Sequence, residues 1–243
     1  MNKIKHFLSK KYLILIPVHN DETLIAKNID KVDNYLKIYF KDIDYKLVIA
    51  ENGSTDNSKK ICLSLEKKYP QISFLYLKEA GRGRAIKHVS KTFTSDYYIY
   101  MDVDLSTELN CLRKLISYSE KHELIIGSRY HETSISKRFF YRKILSKSYN
   151  AIVNLVFKQN TLDFQCGFKG FNKTVAKQII PLIKDNHWFF DTELIISSKV
   201  KKLNVYEMPI IWNESSNTNV RFFRDIIYYI TKIIDFRFNL NVE

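Results

Sequence analysis

The sequence predicts an α/β fold, a mostly parallel central sheet flanked by helices, and three observations carry that prediction. Apolar runs of strand length alternate through the first half of the chain with segments of helical periodicity, the order that builds βαβ units. These runs are apolar throughout rather than at every second position, as strands covered on both faces require. Each run ends in charged, polar or Gly-bearing residues, and in a parallel sheet such carboxyl ends gather along one edge, where ligands bind.

In order, residues 12–18 read as the first strand. Asn20 or Asp21 then caps a helix whose apolar positions Ile25, Ile29, Val32, Leu36 and Tyr39 recur at steps of four and three. Residues 45–50 are the second strand, and residues 51–56 (Glu-Asn-Gly-Ser-Thr-Asp) turn the chain into a helix carrying Ile61 and Leu65. The third strand, 72–77, leads through residues 79–84 into a helix with Ile86, Val89 and Phe93. The fourth ends at Asp102, its helix carries Leu109, Leu112 and Ile116, and residues 124–127 are the fifth strand. Beyond Arg129 the pattern changes. Residues 131–157 are basic and amphipathic, 163–171 are strand-like, helices follow at 174–183 and 188–200, and 205–212 form a last strand. No repeat, low-complexity tract or interdomain linker interrupts the chain.

With 243 residues the chain can bury a full core, and 6 Gly and 4 Pro are too few for a sandwich or propeller rich in tight turns. A formal charge of +13 calls for an anionic partner: nucleic acid, an anionic membrane surface or phosphorylated small molecules. The three cysteines, Cys62, Cys111 and Cys166, have no metal-ligand spacing and fit reduced thiols in a cytosolic compartment. Residues 1–11 lack the apolar centre and cleavage site of a secretory signal, and no window reaches the ~18 apolar residues of a membrane span.

Residues 97–106, Tyr-Tyr-Ile-Tyr-Met-Asp-Val-Asp-Leu-Ser, run a buried strand straight into two carboxylates one residue apart. Held at a sheet edge, Asp102 and Asp104 repel each other unless a cation joins them. Such a pair shares one hard divalent ion through oxygen ligands, with water and diphosphate oxygens completing the shell. The alternative is a solvated turn in which both side chains cap the helix starting near Thr107.

Taken with that pair, the ordered motifs resemble the inverting family-2 glycosyltransferases of the GT-A fold, and among them the polyprenyl-phosphate branch of dolichyl-phosphate glucosyltransferases and dolichol-phosphate mannose synthases. The resemblance runs from Tyr12 to Trp212. It rests on residues 16–22 (Ile-Pro-Val-His-Asn-Asp-Glu), 51–56, 102–106, 127–130 (Gly-Ser-Arg-Tyr), 142–146 with Asn150, 163–169 (Asp-Phe-Gln-Cys-Gly-Phe-Lys), 189–194 and 207–212. Two departures stand out: Glu51-Asn52 replaces the usual Asp-Asp of the base-binding loop, and residues 217–220 replace a Ser-Lys pair. The resemblance implies one GT-A catalytic domain over 1–212, with a nucleotide-sugar half at 1–130 and an acceptor half at 131–212, followed by a tail at 213–243.

It also implies the chemistry: transfer of a hexose from a nucleotide diphosphate to a polyprenyl or dolichyl phosphate, with UDP-glucose favoured as donor and GDP-mannose left open. Asp102 and Asp104, with Val103 between them, are expected to meet the donor and hold Mg2+ or Mn2+, which offsets leaving-group charge. Asp21 and Glu51 are expected to accept hydrogen bonds from ribose or base, with Pro17 and His19 walling the pocket. Arg82 and Arg84 either help hold the diphosphate or start a solvated helix. For the acceptor, Arg129 and Arg142 are the expected phosphate grips, since guanidinium matches phosphate oxygens in a bidentate fork. Asp163 is an orienting group or weak base, Gln165 a sugar contact, and Asp191 and Glu193 secondary candidates. The lipid phosphate is itself an anion, so the transfer needs no strong base.

A basic, aromatic stretch at 137–147 and the helix at 221–238 suit peripheral attachment to an anionic, cytoplasmic membrane face. An amphipathic helix of this kind more often packs on its own domain or on a partner. Two further readings stay open: a family-2 enzyme acting on a soluble or cell-surface polysaccharide acceptor, and a non-catalytic anion- or RNA-binding module. Against nucleic acid, the Asp102–Asp104 pair would repel a phosphate backbone. A homo-oligomer or an integral-membrane partner is equally open.

Overall fold

The computed structural model describes residues 10–214 and 222–240, apart from the side chains of 222–225. Residues 1–9, the 217–220 departure and Arg221 lie outside the described residues.

Strands β1 (Lys11–Val18), β2 (Asp44–Asn52), β3 (Ile72–Leu77), β4 (Tyr97–Tyr100) and β5 (Leu124–Ser128) alternate with helices α1 (Ile25–Tyr39), α2 (Ser58–Lys68), α3 (Arg82–Thr92) and α4 (Asn110–Tyr118). After β5 come β6 (Ile135–Lys137), α5 (Phe140–Phe157), β7 (Lys169–Asn172), α6 (Lys173–Gln178), a 3-10 turn at Ile180–Leu182, α7 (Phe190–Val200), β8 (Val205–Pro209), β9 (Ile211–Asn213) and α8 (Phe222–Asn239).

Seven strands form the central sheet in the order β3-β2-β1-β4-β7-β5-β8. All neighbours run parallel except β7, which is antiparallel to both β4 and β5. The expected halves thus share one sheet, because β7 and β8 from the second half flank β5 from the first. Connections leave β1 toward β2 on one side while β4 lies on the other, so the loops after β1 and β4 flank a topological switch point, where open α/β sheets bind ligands.

Both faces are covered, which explains the unbroken apolar runs. Tyr12, Ile14 and Ile16 enter one core cluster with Ile29, Val32 and Leu112, whereas Leu13 and Leu15 enter the other with Ile86, Val89 and Phe190. Three expectations are corrected. The 163–171 segment is strand only from Lys169. The 205–212 strand is two strands, because the Ile210 carbonyl accepts from Ile135 N–H and the chain passes into a small parallel sheet of β6 and β9. Neither Asn20 nor Asp21 caps α1 with its side chain; the Asp21 carbonyl instead accepts from Leu24 and Ile25.

The tail helix α8 docks on its own domain. Tyr229 stacks edge-on with Tyr149 at 4.8 Å, Phe236 meets Phe157 at 5.3 Å, Ile233 is buried, and Lys232 pairs with Asp185 at 3.1 Å. Ile227, Ile234 and Phe238 remain exposed. Among the described residues no helix is long and apolar enough to cross a membrane.

Candidate active site

The loops after β1 and β2 are tied to each other. Asn20, at φ 56, adopts the left-handed conformation that a short polar side chain tolerates. Its Oδ1 accepts from Thr55 N–H at 2.8 Å, and its own N–H donates to Ser54 Oγ at 3.0 Å. Asp21 N–H donates to Ser58 Oγ and Glu22 N–H to Asp56. Gly53, at φ 68, brings the second loop against the Ala80 backbone, where a Cβ would collide. His19 Nδ1 lies 2.8 Å from the Asn52 carbonyl; since a carbonyl only accepts, Nδ1 carries the proton.

Beyond β4, Leu105 at φ 53 closes a turn in which its N–H reaches the Asp102 carbonyl. A leucine in the left-handed region is held there only by its surroundings, and such strain gathers at functional turns. The turn sets Asp104 facing Ser106, which donates to it through both N–H and Oγ. The helix that follows starts at Asn110 with no side-chain cap, so the aspartates are not its caps.

Beneath Asp102 lies a buried charge network. Arg82 donates through Nε to Asp102 Oδ1 at 3.1 Å, through one terminal nitrogen to Asp191 and through the other to the Gly167 carbonyl at 3.0 Å. Lys169, fully buried, pairs with Asp191 at 2.7 Å, and Tyr100 donates to the same carboxylate at 2.6 Å. Burial pushes the Asp102 carboxyl up, Arg82 opposes that, and Asp104 and Asp191 add to it. Burial, with Asp104 and Asp56, likewise raises Asp21 against the His19 N–H bond. For Asp191, Arg82 and Lys169 outweigh burial and hold it below the usual carboxylate range.

A cavity of about 810 Å3 gathers most of the expected residues. Pro17, His19, Asp21, Arg82 and the Asp102-Val103-Asp104 stretch line it, as do Arg129, Arg142 and Gln165. The secondary candidates Asp191 and Glu193 do not, and neither do three of the principal ones. Glu51 is fully buried, its Oε1 bracing the turn through Ser54 N–H at 2.6 Å and its Oε2 lacking a protein partner. Beside it Asn52 lines the cavity instead, pinned by Val18 and Gly81. Arg84 turns away to Glu79 at 2.7 Å. Asp163 sits behind the wall, fully buried, and clamps Arg129 through Nε at 2.7 Å, a terminal nitrogen at 2.8 Å and the backbone N–H at 3.0 Å. Both Asp163 oxygens are thus engaged by Arg129.

Residues the sequence reading passed over also meet the cavity. Trp212 lies under the Arg129 guanidinium at 5.1 Å, Trp188 under Arg82 at 5.6 Å, and Glu214 reaches Arg142 at 3.3 Å and Arg138 at 3.6 Å. Leu145, Tyr149 and Ile152 of α5 with Ile226, Ile230 and Ile233 of α8 give the same cavity an apolar wall.

Asp102 and Asp104 fit a divalent cation. Both face the cavity, and the backbone of Gly167 cradles the Asp102 carboxylate where any Cβ would intrude. Among the described residues no three carboxylate, imidazole or thiol groups converge on one point, so this pair would leave the other positions to substrate oxygens and water.

Residues 13–180 match the family profile described as glycosyl transferase family 2. The chain belongs to that family. Among curated relatives it is 26% identical to glycosyltransferase AglD of Haloferax volcanii over 95% of this chain, and 27% identical to the dolichyl-phosphate beta-glucosyltransferase of Dictyostelium discoideum over 93%. The chain spans 37% and 73% of the lengths of those two proteins. Among solved structures, glucosyl-3-phosphoglycerate synthase of Mycobacterium tuberculosis in complex with Mn2+, UDP and phosphoglyceric acid superposes with a TM-score of 0.67 at 12% identity, covering 93% of this chain and 76% of that one. The GT-A fold expected of a family-2 chain is therefore present.

Proposed function

We propose that this chain transfers a hexose, glucose in preference to mannose, from a nucleotide diphosphate sugar to the phosphate of a polyprenyl lipid. The observation that carries the reading is the make-up of one cavity, which joins three chemistries: an acid pair with donor loops, the guanidinium groups of Arg129 and Arg142, and an apolar wall from α5 and α8. A sugar nucleotide requires the first, a phosphate acceptor the second and an isoprenoid chain the third. The dolichyl-phosphate glucosyltransferase among its relatives supports that acceptor class and glucose.

In the proposed reaction an oxygen of the lipid phosphate bonds to the anomeric carbon from the face opposite the leaving group. The bond from that carbon to the diphosphate oxygen breaks, its electron pair leaves with the nucleotide, and configuration inverts. Since the acceptor oxygen is already anionic, its second pKa being ~6, no protein base is needed. Arg129, fixed by Asp163, and Arg142 orient the phosphate bidentately. Pro17, His19, Asp21 and Asn52 shape the nucleotide side, and the Arg82–Asp191–Lys169 network holds Asp102 in place. A divalent cation held by Asp102 and Asp104, Mg2+ or Mn2+, would neutralise charge developing on the diphosphate; the mycobacterial neighbour carries Mn2+ with its UDP.

Access to a lipid substrate comes from peripheral attachment to the cytoplasmic membrane face. Phe139, Phe140, Tyr141 and Ile144 at the start of α5, and Ile227, Ile234 and Phe238 on α8, are exposed apolar side chains suited to interfacial insertion. Transfer of label from UDP- and GDP-sugars into an organic-extractable product, with polyprenyl phosphate, Mg2+ or Mn2+ and an Asp104→Ala control, tests the reading. Label reaching the lipid phase from UDP-glucose and lost in the control supports it. Label confined to a water-soluble acceptor would move the chain to the polysaccharide-directed reading.

A further inference from the structure

A second cavity, of about 310 Å3, shares Arg129 and Arg138 with the first, so these two side chains form the partition between them. Its remaining wall is Tyr130, His131, Ser134, Ser136, Lys143 and Lys147, and contains no carboxylate. That size is at the lower end of ligand-binding pockets.

Positive charge here exceeds its compensation. Asp163 neutralises Arg129, while Glu214 is shared by Arg138 and Arg142. Lys143 and Lys147, one turn apart on α5, have no carboxylate within ion-pair distance among the described residues. Three cations surround the Tyr130 ring: Lys147 at 5.7 Å from its centre, Arg129 and Arg138 at 6.0 Å. The Arg138 side chain is only 7% exposed; one terminal nitrogen donates to the Tyr130 hydroxyl at 2.6 Å and to Ser146 Oγ at 2.9 Å, while its Nε, 3.6 Å from Glu214, has no hydrogen-bond partner. Burial and the charge of Arg129 together pull its guanidinium below the usual range. Buried charge without full pairing is costly, and a bound anion removes that cost.

We propose that this pocket is a phosphate-binding site separate from the transfer site, taking the phosphate of a membrane lipid headgroup or of a soluble phosphomonoester. A guanidinium, two ammonium groups and the Ser136 hydroxyl offer donors to several oxygens of one anion, which suits phosphate better than a carboxylate. Phe140, Tyr141 and Ile144 stand exposed on the same helix as Lys143 and Lys147, which sets the pocket beside the surface best suited to meet a bilayer. The site does not depend on which acceptor or sugar the transfer reaction uses.

The test measures binding of the whole chain to phosphatidylcholine vesicles carrying phosphatidic acid, to vesicles of matched surface charge carrying a fatty-acid carboxylate, and to glycerol 3-phosphate. Lys143→Gln/Lys147→Gln and, separately, Ser136→Asp are compared with wild type, with circular dichroism melting as the control for folding. Preference for phosphatidic acid over the carboxylate vesicles, weakened about thirtyfold in the double variant, is expected. Binding of glycerol 3-phosphate as well assigns the site to soluble phosphomonoesters; selective vesicle binding alone assigns it to headgroups. Equal affinity for the two vesicle types, or folded variants that bind phosphate as wild type does, would overturn the proposal.

Discussion

Gly167 lies directly beneath the Asp102 carboxylate, so close that a methyl group there would overlap both carboxylate oxygens. The same glycine offers its carbonyl to Arg82, whose Nε holds Asp102 from the side. Asp102 therefore has one position available, and it faces the cavity. Gly167→Ala is expected to displace the carboxylate while leaving the sheet intact. A misplacement of ~1 Å at a reacting centre costs on the order of a hundredfold in rate. Transfer kinetics and Mn2+ affinity measured beside a circular dichroism spectrum check this; an active Gly167→Ala enzyme would show that Asp102 is not the donor-side ligand.

The Arg129–Asp163 pair sets a pH dependence. Burial alone raises the Asp163 carboxyl, but the charge of Arg129 and its hydrogen bonds reverse that and hold it below the usual range. A carboxylate depressed in the folded state contributes stability that is complete above its unfolded pKa of ~3.9 and is lost as pH falls through the folded value. Asp163→Asn leaves a buried guanidinium unpaired and is expected to destabilise the fold by about 3–5 kcal/mol at pH 7. It should also flatten the stability profile below pH ~4. Urea unfolding of both proteins at neutral and acid pH reads both effects.

Much of this site was legible in the sequence because its parts are local. Asp102 and Asp104 follow a strand by two and four residues, and the 16–22 and 51–56 loops carry their turn chemistry with them. What could not be read is what depends on distant pairing. β7 enters the sheet backwards between β4 and β5, and only that places Lys169 against Asp191 and Asp163 behind Arg129. Glu51 stands where a donor contact was expected, yet the strand pleat turns it into the core and leaves Asn52 on the cavity. The tail helix is apolar on more than one side for a reason its periodicity does not reveal: Ile233 and Phe236 dock while Ile226 and Ile230 wall the cavity.

That wall makes a prediction about acceptor length. Ile230 is half exposed and borders the cavity, so replacing it removes apolar contact with a lipid without opening the core. Ile230→Ser is expected to raise KM for a long polyprenyl phosphate roughly tenfold, in line with about 1.5 kcal/mol for one aliphatic side chain. KM for a short, water-soluble prenyl phosphate should hardly change. Equal effects on both acceptors would take the isoprenoid chain off this wall.

Arg142 and Glu214 make opposite predictions for the acceptor phosphate. The Arg142 guanidinium lies 5.6 and 5.7 Å from the centres of the Phe139 and Tyr141 rings, its Nε bonded to the Tyr141 hydroxyl at 3.0 Å, and Glu214 meets one terminal nitrogen at 3.3 Å. A carboxylate in that place partly occupies the fork that a phosphate needs. Arg142→Lys keeps the charge but loses the planar, bidentate match, and is expected to raise acceptor KM about tenfold while nucleotide affinity stays constant. Glu214→Gln removes the competing charge and is expected to lower acceptor KM severalfold. Steady-state kinetics with each substrate varied in turn, alongside calorimetric titration of the nucleotide, separate the two sides. A parallel rise in donor KM for Arg142→Lys would place that guanidinium on the diphosphate instead.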